Sequence, residues 1–281
     1  QCLNAKREGR VRAVIATVLE TIPYNNEGIW GRKAMKERAR RQVDHFIAIS
    51  KRAKDALVKE GTDSKKITVI PYGIDTKRFI PHHANNDQTN VNILFVGRLE
   101  REKGVLDLLE AFIQCVRVEK QLGKQLHLTI VGVGSLGQTL ADRMKAAGLL
   151  KNVTLTTSSY DDMPQIYKKA DIFVAPSIPM KTWEEQYNIA LLEAQASGLA
   201  IVTTNSGAIP ENVGDCAMLI KPDDRHALTR ALTQVISDPA LRDSLGKAAR
   251  KRAETVHDAK IVSRKIDHLY QNVLASVKAK T

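Results

Sequence analysis

Two glutamates eight residues apart, Glu185 and Glu193, frame the segment of this chain best suited to chemistry, EEQYNIALLEA. Glu185 closes a loop that contains Pro176, Pro179 and Trp183, and Glu193 falls in the helix expected over Tyr187 to Ser197. If all of it were helical, the two carboxylates would stand about 12 Å apart along the axis, at 1.5 Å per residue. That is close to the length of a nucleotide sugar from ribose to hexose. Between them lies a helix N-terminus, whose free N–H groups and dipole favour an anion. A carboxylate for the ribose, one for the sugar and a helix end for the phosphate make a coherent site. The plainer alternative is that Glu185 caps the helix and Glu193 is surface. The apolar residues around Glu193 (Ala190, Leu192, Ala194, Ala196) argue against a purely solvated role.

A second candidate is the loop Gly97-Arg98-Leu99-Glu100-Arg101-Glu102-Lys103-Gly104. It follows a strand, and ligands in open parallel sheets bind beyond the carboxyl ends of strands. A planar guanidinium and a point-charge ammonium, Arg98 and Lys103, suit a diphosphate. A solvated charged loop fits equally well, since Glu100 and Glu102 lie between the two cations.

The run Gly132-Val133-Gly134-Ser135-Leu136-Gly137 matches the dinucleotide pattern G-x-G-x-x-G. Alone it suggests NAD. However, the next strand ends in threonines instead of an acidic residue for the ribose, and the pattern stands in the second βα unit of its domain instead of the first. A turn lining a nucleotide crevice is the better reading.

The elements that must carry these residues are legible from hydrophobic period and breakers. Strands are expected at 11–18, 43–50 and 67–72, with a basic helix at 30–41 and a short helix at 51–60. From residue 91 strands and helices alternate regularly, which implies a parallel sheet covered on both faces. The expected organisation is a partial N-terminal α/β domain (1–82), a polar linker (83–90), a complete doubly wound, Rossmann-like domain (91–257), and a C-terminal helix (258–281) packing back on the first domain. The first domain has about half the residues of the second, and the chain opens with Gln1. An N-terminal domain short of about 90 residues, a figure set by typical domain size, is the expectation.

Composition removes other classes. The 281 residues are 43% hydrophobic and 26% charged, which excludes disorder as the dominant state. Cys2, Cys115 and Cys216 are far apart and odd in number, so they form neither a disulfide framework nor a metal site, and a reducing, cytoplasmic setting fits best. His45, His127, His226, His257 and His268 are scattered, without the close spacing of metal ligands. The formal charge of +12 attracts polyanions. Aromatics are only 5% and do not interleave with basic residues, which argues against nucleic acid as a partner.

The runs VGRLEREKGV, IVGVGSLG, YKKADIFVAPS and EEQYNIALLEAQASG, with TTNSGAIPE and Gly214-Asp215 after them, resemble the donor domain of retaining GT-B glycosyltransferases of the group 1 (family 4) type. VDHFIAIS and VIPYGIDTKRF are similar to the end of that family's acceptor domain and its interdomain linker. The resemblance implies a GT-B-like fold and transfer of a hexose from UDP-sugar or GDP-sugar to an acceptor hydroxyl with retention, without a metal. It implies that Arg98 and Lys103 hold the diphosphate, Glu193 the ribose, and Glu185 the donor sugar. The backbone at Gln186, Tyr187 and Asn188 would meet sugar and phosphate, the turn at Gly132 and Gly134 would line the crevice, and the base would lie against 157–160, ending at Tyr160. Asn188 stands where the family often has glycine. No histidine ends the strand before Glu20, which is either a polar replacement or a loop residue. A truncated, inactive nucleotide-sugar-binding module is the alternative function, and an NAD-dependent oxidoreductase the more distant one.

Acceptors implied by the resemblance are glycans or lipid-linked sugars. The helix RKAMKERARR (32–41) carries six basic residues against one acidic. It reads as a solvated face, or as a peripheral, electrostatic contact with anionic lipid at the inner face of a membrane.

Overall fold

The computed structural model describes residues 1–81, 90–119 and 125–278. A short helix, α1 (Cys2–Arg7), precedes a parallel sheet of β1 (Ile15–Val18), β2 (His45–Ala48) and β3 (Ile67–Val69). Helices α2 (Arg32–Gln42) and α3 (Lys51–Lys59) form its crossovers. Helix α3 starts at Ser50, whose hydroxyl accepts from the Ala53 N–H at 3.0 Å, an N-cap of the usual kind.

The second sheet is laid down by β4 (Asn90–Val96), α4 (Val105–Glu119), β5 (Gln125–Val131), α5 (Gly137–Ala146), β6 (Val153–Thr156), α6 (Met163–Lys168), β7 (Ile172–Ala175), α7 (Ile189–Ala196), β8 (Ala200–Thr204), α8 (Ile209–Val213), β9 (Met218–Ile220) and α9 (Arg225–Ser237). Its strand order is β6-β5-β4-β7-β8-β9, every pair parallel. The chain grows outward from β4, then restarts on the other side at β7. Such a reversal leaves a crevice beyond the carboxyl ends of the two central strands. Strands β7 and β8 are buried at every residue, as expected for strands covered on both faces, which explains the apolar runs of β7 and of Ala200–Val202 in β8; the buried Thr203 and Thr204 hydroxyls donate to the Ala175 and Ser177 carbonyls.

Helix α10 (Pro239–Arg252), a π-helical turn (Ala253–His257) and α11 (Ala259–Lys278) follow. Val262, Leu269 and Val273 of α11 pack on Ile47 of the first sheet and on Ile70, just past β3. The chain therefore passes between the halves twice, side by side: the Ile74 N–H donates to the His257 carbonyl at 2.7 Å and the Ala259 N–H to the Ile74 carbonyl at 3.0 Å. One continuous apolar cluster joins Phe46, Leu57 and Phe79 to Tyr167, Leu191 and Ala253. The expected polar linker 83–90 lies, apart from Asn90, outside the described residues.

Helix α7 begins at Ile189, not at Tyr187 as its sequence suggests. The cause is Asn188, whose φ of +58° no α-helix accommodates. Helix α8, only five residues long, is not expected from the sequence at all.

His257 lies fully buried at the second crossing and donates from Nε2 to the Asn212 carbonyl at 3.0 Å. Burial, with the Arg252 charge nearby, lowers its pKa from 6.5 to about 4. The unfolded chain therefore takes up this proton before the folded one does, and stability is lost as pH falls from about 6.5 to about 4. Replacing His257 with Gln is expected to remove this part of the acid dependence, as measured by denaturant unfolding across that window.

Candidate functional site

The crevice between the ends of β4 and β7 gathers the chemistry. Lys103 ends a 3₁₀ turn after β4 and directs its ammonium to Glu185 Oε2 at 2.7 Å. The same oxygen accepts from Ser177 Oγ at 2.9 Å, just past β7, and from Asn188 Nδ2 at 3.5 Å. The Lys103 ammonium also lies 4.8 Å from the Trp183 ring centroid. Glu185 is 6% exposed, and its other oxygen, Oε1, takes no hydrogen bond from the described residues. Its carbonyl accepts from the Ala208 N–H at 2.9 Å. Gly207 makes this approach feasible: at φ +55°, a Cβ there would stand 2.0 Å from that carbonyl oxygen.

Glu185 neither caps α7 nor shares its axis, so the 12 Å spacing estimated along a single helix does not apply. Asn188 is the N-cap, and no side chain bonds the first-turn N–H groups. The helix start thus leaves donors beside Glu185 and Lys103.

Glu193, in α7, is 5% exposed and not a surface residue. Tyr167 donates its hydroxyl to Glu193 Oε2 at 2.7 Å, and Oε1 again has no partner among the described residues. Burial raises the Glu193 pKa; the Tyr167 hydrogen bond and the nearby Arg78 charge counter it in part.

Arg98 does not join this group. Its guanidinium bonds Glu102 Oε1 at 2.7 Å on an exposed surface. Of the two acids between the cations only Glu100 turns elsewhere, accepting from Ser135 N at 2.9 Å and Ser135 Oγ at 2.6 Å. These bonds hold the Glu100 carboxyl below its usual range. They also fix the glycine turn against the β4 loop. A Cβ on Gly132 would meet the Gly97 carbonyl at 1.9 Å, and one on Gly134 the Leu99 backbone at 2.5 Å. Loop-to-loop packing accounts for both glycines.

Tyr160 is covered on one side by Arg78, whose guanidinium carbon lies 4.4 Å from the ring centroid. Arg78 also bonds the Tyr160 carbonyl at 2.8 Å and Asp161 at 2.9 Å. Gln186 is half-buried, without a hydrogen bond to the described residues. The Tyr187 ring packs against Tyr72 and His257, with centroids at 5.9 and 6.0 Å, and burial raises its hydroxyl pKa. Ser177, Arg78, Tyr167 and Asn212 were not singled out from sequence. Arg78, Tyr167 and Asn212 reach their partners across tens of residues, and Ser177 reaches Glu185 across eight residues of irregular loop, so none leaves a periodic pattern to read.

Elsewhere, Glu20 is a loop residue: it accepts from Thr21 N, Ile22 N and Asn25 Nδ2 at 3.1, 3.1 and 3.0 Å. On α2, Lys36 and Arg40 pair with Glu60, Arg40 also with Glu27, and Arg41 with Glu37, while Arg38 bonds Gln42 and Asn4. Among the described residues no three His, Cys, Asp or Glu side chains come together as a metal site requires, and no helix is long and apolar enough to cross a membrane.

The pattern described as Glycosyl transferases group 1 matches residues 76–252. The chain belongs to this family. The pattern for Glycosyltransferase Family 4 matches residues 3–78 of this group 1 glycosyltransferase. It is 28% identical over 257 residues to an MMP alpha-(1->4)-mannosyltransferase of Mycolicibacterium hassiacum, covering 89% of this chain and 59% of the relative. It is 30% identical over 235 residues to a glycogen synthase of Mycobacterium tuberculosis, covering 82% and 54%. The chain thus spans little more than half the length of these relatives. Its fold is that of Anabaena HepE, solved in complex with UDP: TM-score 0.80 at 18% identity, covering 96% of this chain and 75% of that one. The architecture is GT-B, with a Rossmann-like C-terminal half.

A buried acid with a raised pKa is a stability cost that a site can retain for binding. Ionised Glu193 is disfavoured in the fold, so its contribution to stability is intact in acid and lost as pH rises through its folded pKa. Glu193→Gln is expected to melt higher than the parent at neutral pH, with the difference closing toward acid. The same variant tests the expectation that Glu193 holds a ribose: under it, UDP or GDP should bind about 1–3 kcal/mol more weakly, the scale of hydrogen bonds to a charged group. Melting curves at several pH values and calorimetric titration read the two effects.

Proposed function

We propose that this group 1 glycosyltransferase binds a nucleotide-diphosphate sugar at the β4/β7 crevice and transfers its hexose to an acceptor hydroxyl with retention of configuration. The observation that carries the reading is the pair of buried acids, Glu185 and Glu193. Each has one oxygen held by the protein and the other without a partner among the described residues, beside a lysine and an uncapped helix start. In this reading Glu193 takes the ribose hydroxyls and Glu185 a hydroxyl of the sugar. The N–H groups at the start of α7 and Lys103 face the diphosphate. As the sugar leaves, negative charge grows on the diphosphate, and fixed donors and cations stabilise that state more than the bound donor. Lys103 is the fixed cation. Arg98 would have to exchange Glu102 for the ligand. These groups supply the charge compensation without a metal ion.

UDP is favoured over GDP only through the HepE complex, so the base is a matter for titration. The acceptor is a glycan or a lipid-linked sugar. Of the basic side chains on α2 only those of Arg32 and Lys33 lack an ion-pair or hydrogen-bond partner among the described residues, next to the fully solvated Trp30, 99% exposed. Two cations at about 1 kcal/mol each give a weak attraction to anionic lipid. The expected result is slight pelleting with anionic vesicles at low salt that disappears at high salt; equal pelleting with neutral vesicles would remove the membrane from the reading.

UDP or GDP, but not NAD, is expected to raise the melting temperature of the chain. In a turnover assay with a radiolabelled donor, Lys103→Ala is expected to lower the rate at saturating donor by about a hundredfold, the size of a lost electrostatic stabiliser. Donor affinity should fall less. Loss of affinity with an unchanged saturated rate would make Lys103 a binding residue only.

A further inference from the structure

Asn188 interrupts the backbone beside Glu185 at φ +58°, ψ 90°, a conformation that costs a residue with a Cβ free energy. Something must hold it there. The side chain that does so is Asn212, in α8, which is wholly buried (0% exposed). Its Nδ2 donates to the Tyr187 carbonyl and, at 3.2 Å, to the Asn188 carbonyl. Its Oδ1 accepts from Gln195 Nε2 at 2.7 Å, and that bond fixes which way the amide faces. The Asn212 carbonyl in turn accepts from Arg252 Nε at 2.7 Å and from His257 Nε2.

The preceding residue faces the other half of the molecule. Glu211 accepts from the backbone N–H groups of Lys51 and Arg52 at 2.6 and 2.8 Å, so a carboxylate of the C-terminal half caps α3 of the N-terminal half. Alongside, Arg52 forms a two-pronged pair with Glu184 at 2.5 and 2.7 Å. One short helix thus touches both the N-terminal half and the loop at Tyr187–Asn188.

We propose that Asn212 is a positioning residue for the sugar-facing loop, and that α8 carries to that loop the contact which Glu211 makes with the N-terminal half. Asn212 touches no substrate in this assignment. It sets the direction of the N–H groups that follow Asn188 and of the Asn188 side chain near Glu185. The inference rests on the proposed donor site: Glu193 serves the ribose, whereas residues 186–188 serve the diphosphate and sugar. Disturbing Asn212 therefore penalises a sugar nucleotide more than the matching monophosphate.

The test is calorimetric titration with UDP-glucose against UMP, or GDP-mannose against GMP, whichever pair the parent binds. Asn212→Leu, similar in size but without the amide, is expected to weaken the sugar nucleotide at least about tenfold, two hydrogen bonds' worth, with a much smaller change for the monophosphate. Gln195→Met leaves Asn212 in place but frees its amide to turn, and is expected to give a milder loss of the same selectivity should Asn212→Leu not fold. Equal losses for both ligands, or a lowered melting temperature with unchanged affinities, would make Asn212 a structural residue and overturn the inference while leaving the donor site standing. A parent chain that binds neither sugar nucleotide nor monophosphate would overturn both. The coupling has its own readout in amide exchange. Glu211→Gln is expected to speed exchange at Lys51 and Arg52, and also at Leu191, whose N–H donates to the Asn188 carbonyl at 3.1 Å. Faster exchange confined to Lys51 and Arg52 would refute transmission through α8.

Discussion

Burying a carboxylate as deeply as Glu185 is unfavourable unless cations and donors replace its lost water. Most of the site's construction follows from that constraint. Lys103 must arrive from the end of β4 and Ser177 from the end of β7, while the backbone at 207–208, from beyond β8, bonds the Glu185 carbonyl and holds that residue's main chain in place. These three approaches are possible together only where the strand order reverses, because there the ends of β4 and β7 are neighbours while their connections depart in opposite directions. The charge compensation is also one-sided. All the donors converge on a single carboxylate oxygen, so the second can serve a ligand without dismantling the support of the first.

Much of this was legible in the sequence. Strands β7 and β8 and helix α9 run as their apolar patterns indicate, because strands buried on both faces and an amphipathic helix leave strong local signals. The pairing of Lys103 with Glu185 was not legible, although each was singled out; a spacing of 82 residues carries no pattern, and only the sheet topology brings them together. Arg98 illustrates how a local partner goes unread. It stands in the right loop, but a glutamate four residues on offers a nearer partner than the crevice. Asn188 was noticeable as a residue in a glycine's place, but its support was not, since Asn212 holds it through carbonyl oxygens that every residue possesses. Helix α8, with Pro210 and five residues in all, is too short to show a period.

The basic character of the N-terminal half is less free than its composition implies. Glu60 draws in both Lys36 and Arg40, and its side chain is nearly inaccessible. Two of the six cations on α2 thus serve to hold α2 and α3 together around one buried acid, and net charge overstates what an external partner would meet.

The apolar cluster shared by the two halves has a consequence for how the molecule comes apart. Three short strands enclose little interior of their own, and Phe46, Leu57 and Phe79 complete their burial against Tyr167, Leu191 and Ala253. Neither set of faces can be exposed without uncovering the other, so the halves share one cooperative unit of unfolding. Denaturation followed by fluorescence of Trp183, which packs against Lys103 while Trp30 is already solvated, and by far-ultraviolet dichroism should then trace a single coincident transition, and the helix bearing Glu193 should protect its amides from exchange to nearly the full stability of the molecule.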